Sequence, residues 1–431
     1  MVYGVVPPLF GSHPFQAVTE KLDYLKGLGV DALWLSPVNT TLPGDFGYAV
    51  TDYFGLRPDY GTGAEFKELV RQAHARGIQV MMDFVSNHTS VEHPYYRDML
   101  AHGKESPYYD FYDRDPAGNV THYFDWAHLP NLNYDNPKVS EWMTQAFVYW
   151  VREYDVDGFR VDAAWGIKER QPRFWCQLAS ELRAVKPDVY LLAEASAQDS
   201  WFVKHGFNAA YDWTPELGHW AWEKAFEDKS QVASRLYAAL TSGQTPVNRV
   251  ARFINNNDTA KRFIDRYGVG TTRVAAALLL TLPGLPIVYT GDEVGAEYEP
   301  YQRPPPLSWE DPHALREHYR KLIHLRESLP ALASRSWTPL KVQGSGSDSV
   351  VAYVRHEDAA PRKAPVLVVL NFGSAAKVRL QLPEQFEALG ATGTLSDALT
   401  DQRIPVSKHG RQLEVAVPES TALLLTSART R

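Results

Sequence analysis

The chain has 431 residues but one cysteine, so no internal disulfide can hold its fold together. It has no run near the roughly 18 apolar residues that a membrane-spanning helix requires, which excludes a helical anchor. Nor is there an excess of positive charge: 44 Lys and Arg stand against 51 Asp and Glu, a net charge of −7. Phosphate backbones and anionic lipid surfaces need a basic face, so neither nucleic acid nor membrane is an expected partner. No secretory leader is expected in this stretch, since Met1 opens directly onto Val2-Tyr3-Gly4-Val5-Val6, which reads as a strand. The expectation is an intracellular chain, or one from which a leader has been removed. Cys176 lies in Phe174-Trp175-Cys176-Gln177-Leu178, the apolar side of a helix, and is expected to be a small buried hydrophobe.

What is present is a regular alternation of strand and helix. Val18, Leu22, Leu25 and Leu28 recur at helical spacing, and Gly29 ends that helix before the strand Asp31-Ala32-Leu33-Trp34-Leu35. A second helix over 64–76 stops at Gly77, and Ile78-Gln79-Val80-Met81-Met82-Asp83 follows as a strand. With strands at 156–161, 189–193, 207–211, 249–254 and 285–289, the count from the N-terminus is eight. Alternation of this kind predicts an α/β fold, a (β/α)8 TIM barrel with a parallel sheet, for which a chain of this length leaves room plus roughly one more domain.

Two stretches break the pattern. Residues 90–136, after strand three, are rich in Tyr, Asp, His and Pro without helical or strand periodicity, and far exceed an ordinary connection. Beyond Arg326 come short alternating runs such as Val350-Val351-Ala352-Tyr353-Val354 and Val378-Arg379-Leu380-Gln381-Leu382, which predict an antiparallel β-sandwich of roughly 100 residues. The expected division is a barrel over 1–89 and 137–330, an excursion over 90–136, and a sandwich over 331–431.

Four runs end apolar stretches in turn: Asp83-Phe84-Val85-Ser86-Asn87-His88, Gly158-Phe159-Arg160-Val161-Asp162, Leu192-Ala193-Glu194 and Phe253-Ile254-Asn255-Asn256-Asn257-Asp258. Barrel chemistry gathers at the C-terminal ends of the strands. In identity, order and spacing these runs resemble the α-amylase family, glycoside hydrolase family thirteen, and Leu129-Pro130-Asn131-Leu132-Asn133 is similar to the motif of that family's domain B. The resemblance implies a retaining α-glucan hydrolase of the α-amylase or cyclomaltodextrinase kind, acting on maltooligosaccharides, starch or cyclodextrins.

Retention needs one ionised carboxylate to attack the anomeric carbon and one protonated carboxyl to serve the leaving oxygen, about 5–5.5 Å apart. Neighbouring parallel strands lie about 4.8 Å apart, so Asp162 and Glu194 suit these roles. Arg160, two residues before Asp162, shares its face and can keep that carboxylate ionised. Asp258 is left to grip sugar hydroxyls and favour ring distortion. Implied by the resemblance are Tyr48 as the residue stacking on the sugar and His88 as a hydroxyl partner. Trp165 and Trp213, on the catalytic side of their strands, are candidate subsite walls; Trp34, Trp142, Trp150 and Trp175 read as packing residues.

Departures from the family pattern matter as much. Asn257 stands where a His usually precedes the third acid, so it can donate a hydrogen bond but carries no charge. Trp165 and Gly166 replace a Lys-His pair common in α-amylases, which alters the leaving-group side. Asn87 matches a calcium-ligand asparagine, so a structural calcium is implied there, with Asp45, Asp110, Asp113 and Asp115 as further oxygen donors. No cofactor is expected for the chemistry. Two alternatives stand beside hydrolysis: a transglycosylase or isomerase such as a trehalose synthase, favoured by Trp165, and an amylase-like module that binds without catalysis.

Overall fold

Strands buried on both faces read as unbroken apolar runs, and the first two strands, β1 (Val2–Val5) and β2 (Ala32–Leu35), are buried at every position. In this computed structural model, which describes residues 1–216 and 218–427, six more follow: β3 (Gln79–Val85), β4 (Gly158–Asp162), β5 (Tyr190–Ser196), β6 (Ala209–Tyr211), β7 (Val250–Arg252) and β8 (Leu285–Tyr289). They close into a parallel barrel in the order β1-β8-β7-β6-β5-β4-β3-β2, the fold expected from the alternation. By internal packing the chain divides into two compact units. One is Val2–Tyr211 with Arg303–Leu307; the other holds Asp212–Gln302 and the chain from Ser308 on.

In the first unit the helix expected near Val18 is two helices, Pro14–Glu20 and Leu22–Leu28, which meet at Lys21. Both still bury the predicted residues, and Gly29 caps the second with φ of 100°, a conformation that only glycine adopts cheaply. The next helix, Gly63–Ala75, starts at a reciprocal cap: the Thr62 side chain accepts from the Glu65 N–H while the Glu65 carboxylate accepts from the Thr62 N–H. The stretch 90–136 is not wholly irregular. A helix, Pro94–His102, opens with Pro94 in its first turn and His93 as its cap. An isolated bridge from His88 to Asn131 ties the excursion back to the segment after β3, and one from Tyr112 to Leu132 joins two parts of the excursion.

Cys176 is exposed, contrary to expectation. On the helix Arg173–Val185 the buried residues are Phe174, Trp175, Leu178, Ala179 and Leu182. At 3.6 residues per turn these span an arc that leaves Cys176 outside it. Trp34, Trp150 and Trp175 are fully buried, and Trp142 packs edge-on against Tyr53.

In the second unit, β9 (Ser336–Pro339), β10 (Lys341–Ser345), β11 (Val350–His356), β12 (Val366–Asn371), β13 (Ala376–Gln381), β14 (Thr394–Asp397), β15 (Arg403–His409), β16 (Gln412–Val417) and β17 (Thr421–Ser427) form one sheet in the order β9-β11-β12-β17-β14-β15-β16-β13-β10. Its strand pairings are antiparallel. Residues from both halves, such as Val350, Ala352, Val354 and Leu367 on one side and Val378, Leu413 and Val415 on the other, share one apolar cluster, as a sandwich requires. Among the described residues no helix is long and apolar enough to cross a membrane.

Candidate active site

Asp83 of β3, Arg160 of β4 and Leu192 of β5 are register partners across three parallel strands. Register partners, and residues two apart on one strand, share a face, so Asp83, Arg160, Asp162 and Glu194 project together. Both strands end further along the chain than expected: β4 ends on Asp162 itself and β5 runs through Glu194, so both carboxyls stand on the sheet and not on loops.

Arg160 is fully buried and joins the group. Its Nη1 donates to Asp83 Oδ1 and Asp162 Oδ1, both at 2.9 Å, its Nη2 lies 2.7 Å from Glu194 Oε1, and its Nε donates to the Tyr211 hydroxyl at 3.1 Å. Desolvation opposes its charge, but Asp83 and Glu194 outweigh that and raise its pKa well above the ordinary value. Burial is also the largest influence on Glu194 and pushes its carboxyl up to about 7. Arg160 opposes that rise, the charge of Asp162 adds to it, and the Ala163 N–H opposes it again by donating to Oε2 at 2.6 Å. Ala163 reaches that oxygen from a left-handed backbone, φ 45° and ψ 38°, which costs a non-glycine residue about 1–2 kcal/mol.

Tyr48 is half-buried, and its hydroxyl donates to Asp83 Oδ2 at 3.3 Å. His88 is buried, with Nε2 donating to the Tyr48 carbonyl at 3.1 Å and Nδ1 facing the Asn87 amide at 3.3 Å. Burial pushes its pKa down to about 3, so the imidazole is neutral. Trp165 is half-buried, with Tyr123 and Phe124 of the excursion 5.9 and 5.4 Å away between ring centres. Tyr123 in turn lies 5.0 Å from the His88 ring. Phe124 and Trp126 are more than half exposed, an aromatic surface that the sequence reading did not single out.

In the second unit, β7 stops at Arg252, earlier than expected, and the run to Asp258 is a tight turn. Asn256 Oδ1 accepts from the N–H groups of Asp258 and Thr259 at 2.9 and 3.0 Å. Asn255 anchors the turn by donating to Asp292 Oδ1 at 2.7 Å, the same oxygen that lies 2.6 Å from Arg262 Nη2. The Asn257 amide donates to Asp258 Oδ1 and to the Tyr301 hydroxyl, both at 3.0 Å, and Tyr301 approaches Asp258 Oδ1 at 3.3 Å. Tyr301 lies in a Pro-rich stretch without periodicity and escaped the sequence reading. Trp213 is buried and bridges to Trp220.

The residues around Asn87 do not fit a calcium ion. Its Oδ1 accepts from Arg170 Nη2 at 2.7 Å and its Nδ2 donates to Asn131 Oδ1 at 3.0 Å. Asp45 caps a turn through the Gly47 N–H, Asp115 holds Asn119, and Asp113 accepts from the Thr121 hydroxyl. Among the described residues no three His, Cys, Asp or Glu side chains are grouped to hold a metal ion.

A family model, "Alpha amylase, catalytic domain", matches residues 13–321. The chain belongs to the alpha-amylase family. Among its relatives is alpha-amylase MalA of Haloarcula japonica, 32% identical over 374 residues that cover 84% of this chain and 53% of that protein. A maltogenic alpha-amylase of Bacillus acidopullulyticus is 28% identical over 418 residues, 93% of this chain and 68% of the relative. This alpha-amylase family member therefore spans about half the length of MalA and two thirds of the maltogenic enzyme. The crystal structure of an alpha-amylase from Geobacillus thermoleovorans complexed with acarbose superposes with a TM-score of 0.79 at 25% identity, covering 100% of this chain and 98% of that one.

Proposed function

We propose that this chain is a retaining α-glucan hydrolase that cleaves α-1,4-glucosidic bonds of maltooligosaccharides or cyclodextrins. The observation that carries the reading is the pairing of Asp162, held by a buried guanidinium, with Glu194, whose carboxyl is pushed up to about 7. Asp162 attacks the anomeric carbon while Glu194 gives its proton to the departing oxygen. Glu194, now a carboxylate, then takes a proton from water as that water attacks the same carbon and releases Asp162. Asp258 is the third carboxyl, assigned from its sequence run, and its hydrogen bonds to Asn257 and Tyr301 orient it for sugar hydroxyls. Tyr48 and His88 line the sugar that reacts. The relatives' names, an alpha-amylase and a maltogenic alpha-amylase, support this substrate class.

Transfer to a sugar acceptor is the second reading. The rings of Trp165, Tyr123 and Phe124 favour it, because an aromatic surface beside the intermediate can hold an acceptor. Purified wild type and Glu194→Gln, each incubated with maltoheptaose, β-cyclodextrin, maltose and sucrose, test both. Shorter maltooligosaccharides from wild type alone support hydrolysis, and longer or isomerised products move the assignment to transfer. A wild type that alters none of the four overturns both readings.

A further inference from the structure

We infer that Arg170 is a built-in cation: its guanidinium holds Asn87 where a structural calcium ion would otherwise sit, joining the segment after β3, the helix after β4 and the excursion without metal. This inference rests on geometry within the first unit and is independent of the catalytic assignment.

Four hydrogen bonds run in series from a positive to a negative group. Arg170 Nη2 donates to Asn87 Oδ1 at 2.7 Å, Asn87 Nδ2 to Asn131 Oδ1 at 3.0 Å, Asn131 Nδ2 to Thr121 Oγ1 at 3.1 Å, and Thr121 Oγ1 to Asp113 Oδ2 at 2.7 Å. Each amide uses its oxygen as acceptor and its nitrogen as donor, so the polarity of the whole series is set by the cation at one end and the carboxylate at the other. A hard divalent ion needs six to eight oxygens turned toward it at about 2.3–2.6 Å. Here the oxygens of Asn87, Asn131 and Asp113 are already turned toward N–H or O–H donors. The Asn87 carbonyl is taken as well, by the Leu132 N–H at 3.1 Å.

Two further features make room for this arrangement. Arg170 is the last residue of the helix Ala164–Arg170, one turn beyond Gly166 and on the same face. Gly166, on the same helix, faces Asn87: a Cβ there would lie 2.5 Å from Asn87 Oδ1. The glycine therefore admits the amide, and the Arg four residues later supplies the charge. Burial is the largest influence on Arg170 and lowers its pKa from the ordinary value, with Asp113, Tyr134 and Glu169 opposing; a guanidinium starts from so high a value that it stays charged at neutral pH. Because the Asn87 amide also faces His88 Nδ1, fixing Asn87 fixes that imidazole.

The test measures thermal unfolding and metal content of the whole chain. Wild type is expected to retain substoichiometric calcium after dialysis and to unfold at the same temperature, within about 1 °C, in EDTA and in millimolar CaCl2. Arg170→Met is expected to unfold roughly 5 °C lower or more. Arg170→Lys, which keeps the charge, is expected to recover part of that loss and to keep a KM closer to wild type than Arg170→Met does. A wild-type midpoint that drops in EDTA and returns with CaCl2 overturns the inference, as does one tightly held calcium per chain. So does an Arg170→Met protein as stable as wild type. If Arg170→Met does not fold, the wild-type EDTA and metal-content measurements still decide.

Discussion

The backbone N–H of Ala163 donates to Glu194 Oε2 at 2.6 Å, so the residue directly after Asp162 also grips the carboxyl on the neighbouring strand. One peptide unit therefore couples the orientation of both acids. That bond favours the charged form of Glu194, yet burial wins, and the resulting carboxyl near neutrality has measurable consequences.

The first concerns activity against pH. A general acid must carry its proton in the free enzyme, and with Glu194 at about 7, kcat/KM is expected to fall about tenfold per unit above that pH. Glu194→Gln is expected to lose about a thousandfold in kcat. A profile flat to pH 9 with the wild type would reject Glu194 as the acid.

The second concerns stability. The folded pKa of Glu194 lies above the ordinary value of 4.5, so its contribution is fully present below about 4.5 and is lost as pH rises through about 7. The loss at pH 8 is roughly 3 kcal/mol by linkage. Glu194→Gln removes it, and urea unfolding should show the variant gaining on wild type between pH 5 and pH 8. An equal difference at both pH values would contradict the assignment.

The third concerns Arg160. Removing one partner from a buried ion cluster costs about 3–5 kcal/mol, because Asp83 and Glu194 are left facing each other without a cation. Arg160→Met should therefore lower the urea midpoint markedly. It should also raise the pKa of Glu194 further, since Arg160 lowers it. A midpoint equal to wild type would contradict this.

The fourth concerns Gly158, the register partner of Tyr190. A Cβ at Gly158 would lie 2.2 Å from the Tyr190 carbonyl oxygen, so β4 and β5 must move apart to admit one. Gly158→Ala should cost about 2–3 kcal/mol. Because those strands carry Asp162 and Glu194, kcat should fall about a hundredfold. Retained stability and activity together would show that the strands relax freely.

The fifth concerns the aromatic surface. Trp165→Ala should lower the ratio of transfer to hydrolysis products from maltotriose roughly three- to tenfold, the scale of one lost ring contact. An unchanged ratio would remove Trp165 from the acceptor side.

Much of this was legible in the sequence because barrel strands are short, apolar and end in polar residues. The Glu194 and Asp162 runs needed no tertiary information to be found. The partner of Asn87 was not legible, because the residue that satisfies its oxygen, Arg170, lies 83 positions away and follows no spacing rule. Tyr301 was missed for a similar reason, since only folding brings its hydroxyl to Asn257. The break at Lys21 left no trace because Val18, Leu22 and Leu25 keep their inward direction across it. Cys176 was misplaced by its apolar neighbours, whose buried arc stops just short of it.

That exposed thiol gives the molecule a single chemical address. The chain holds one cysteine, on a helix whose opposite face is packed, so a maleimide dye or spin label attaches once per chain without a mutation. Any proximity signal between labels then has only one source, two chains meeting.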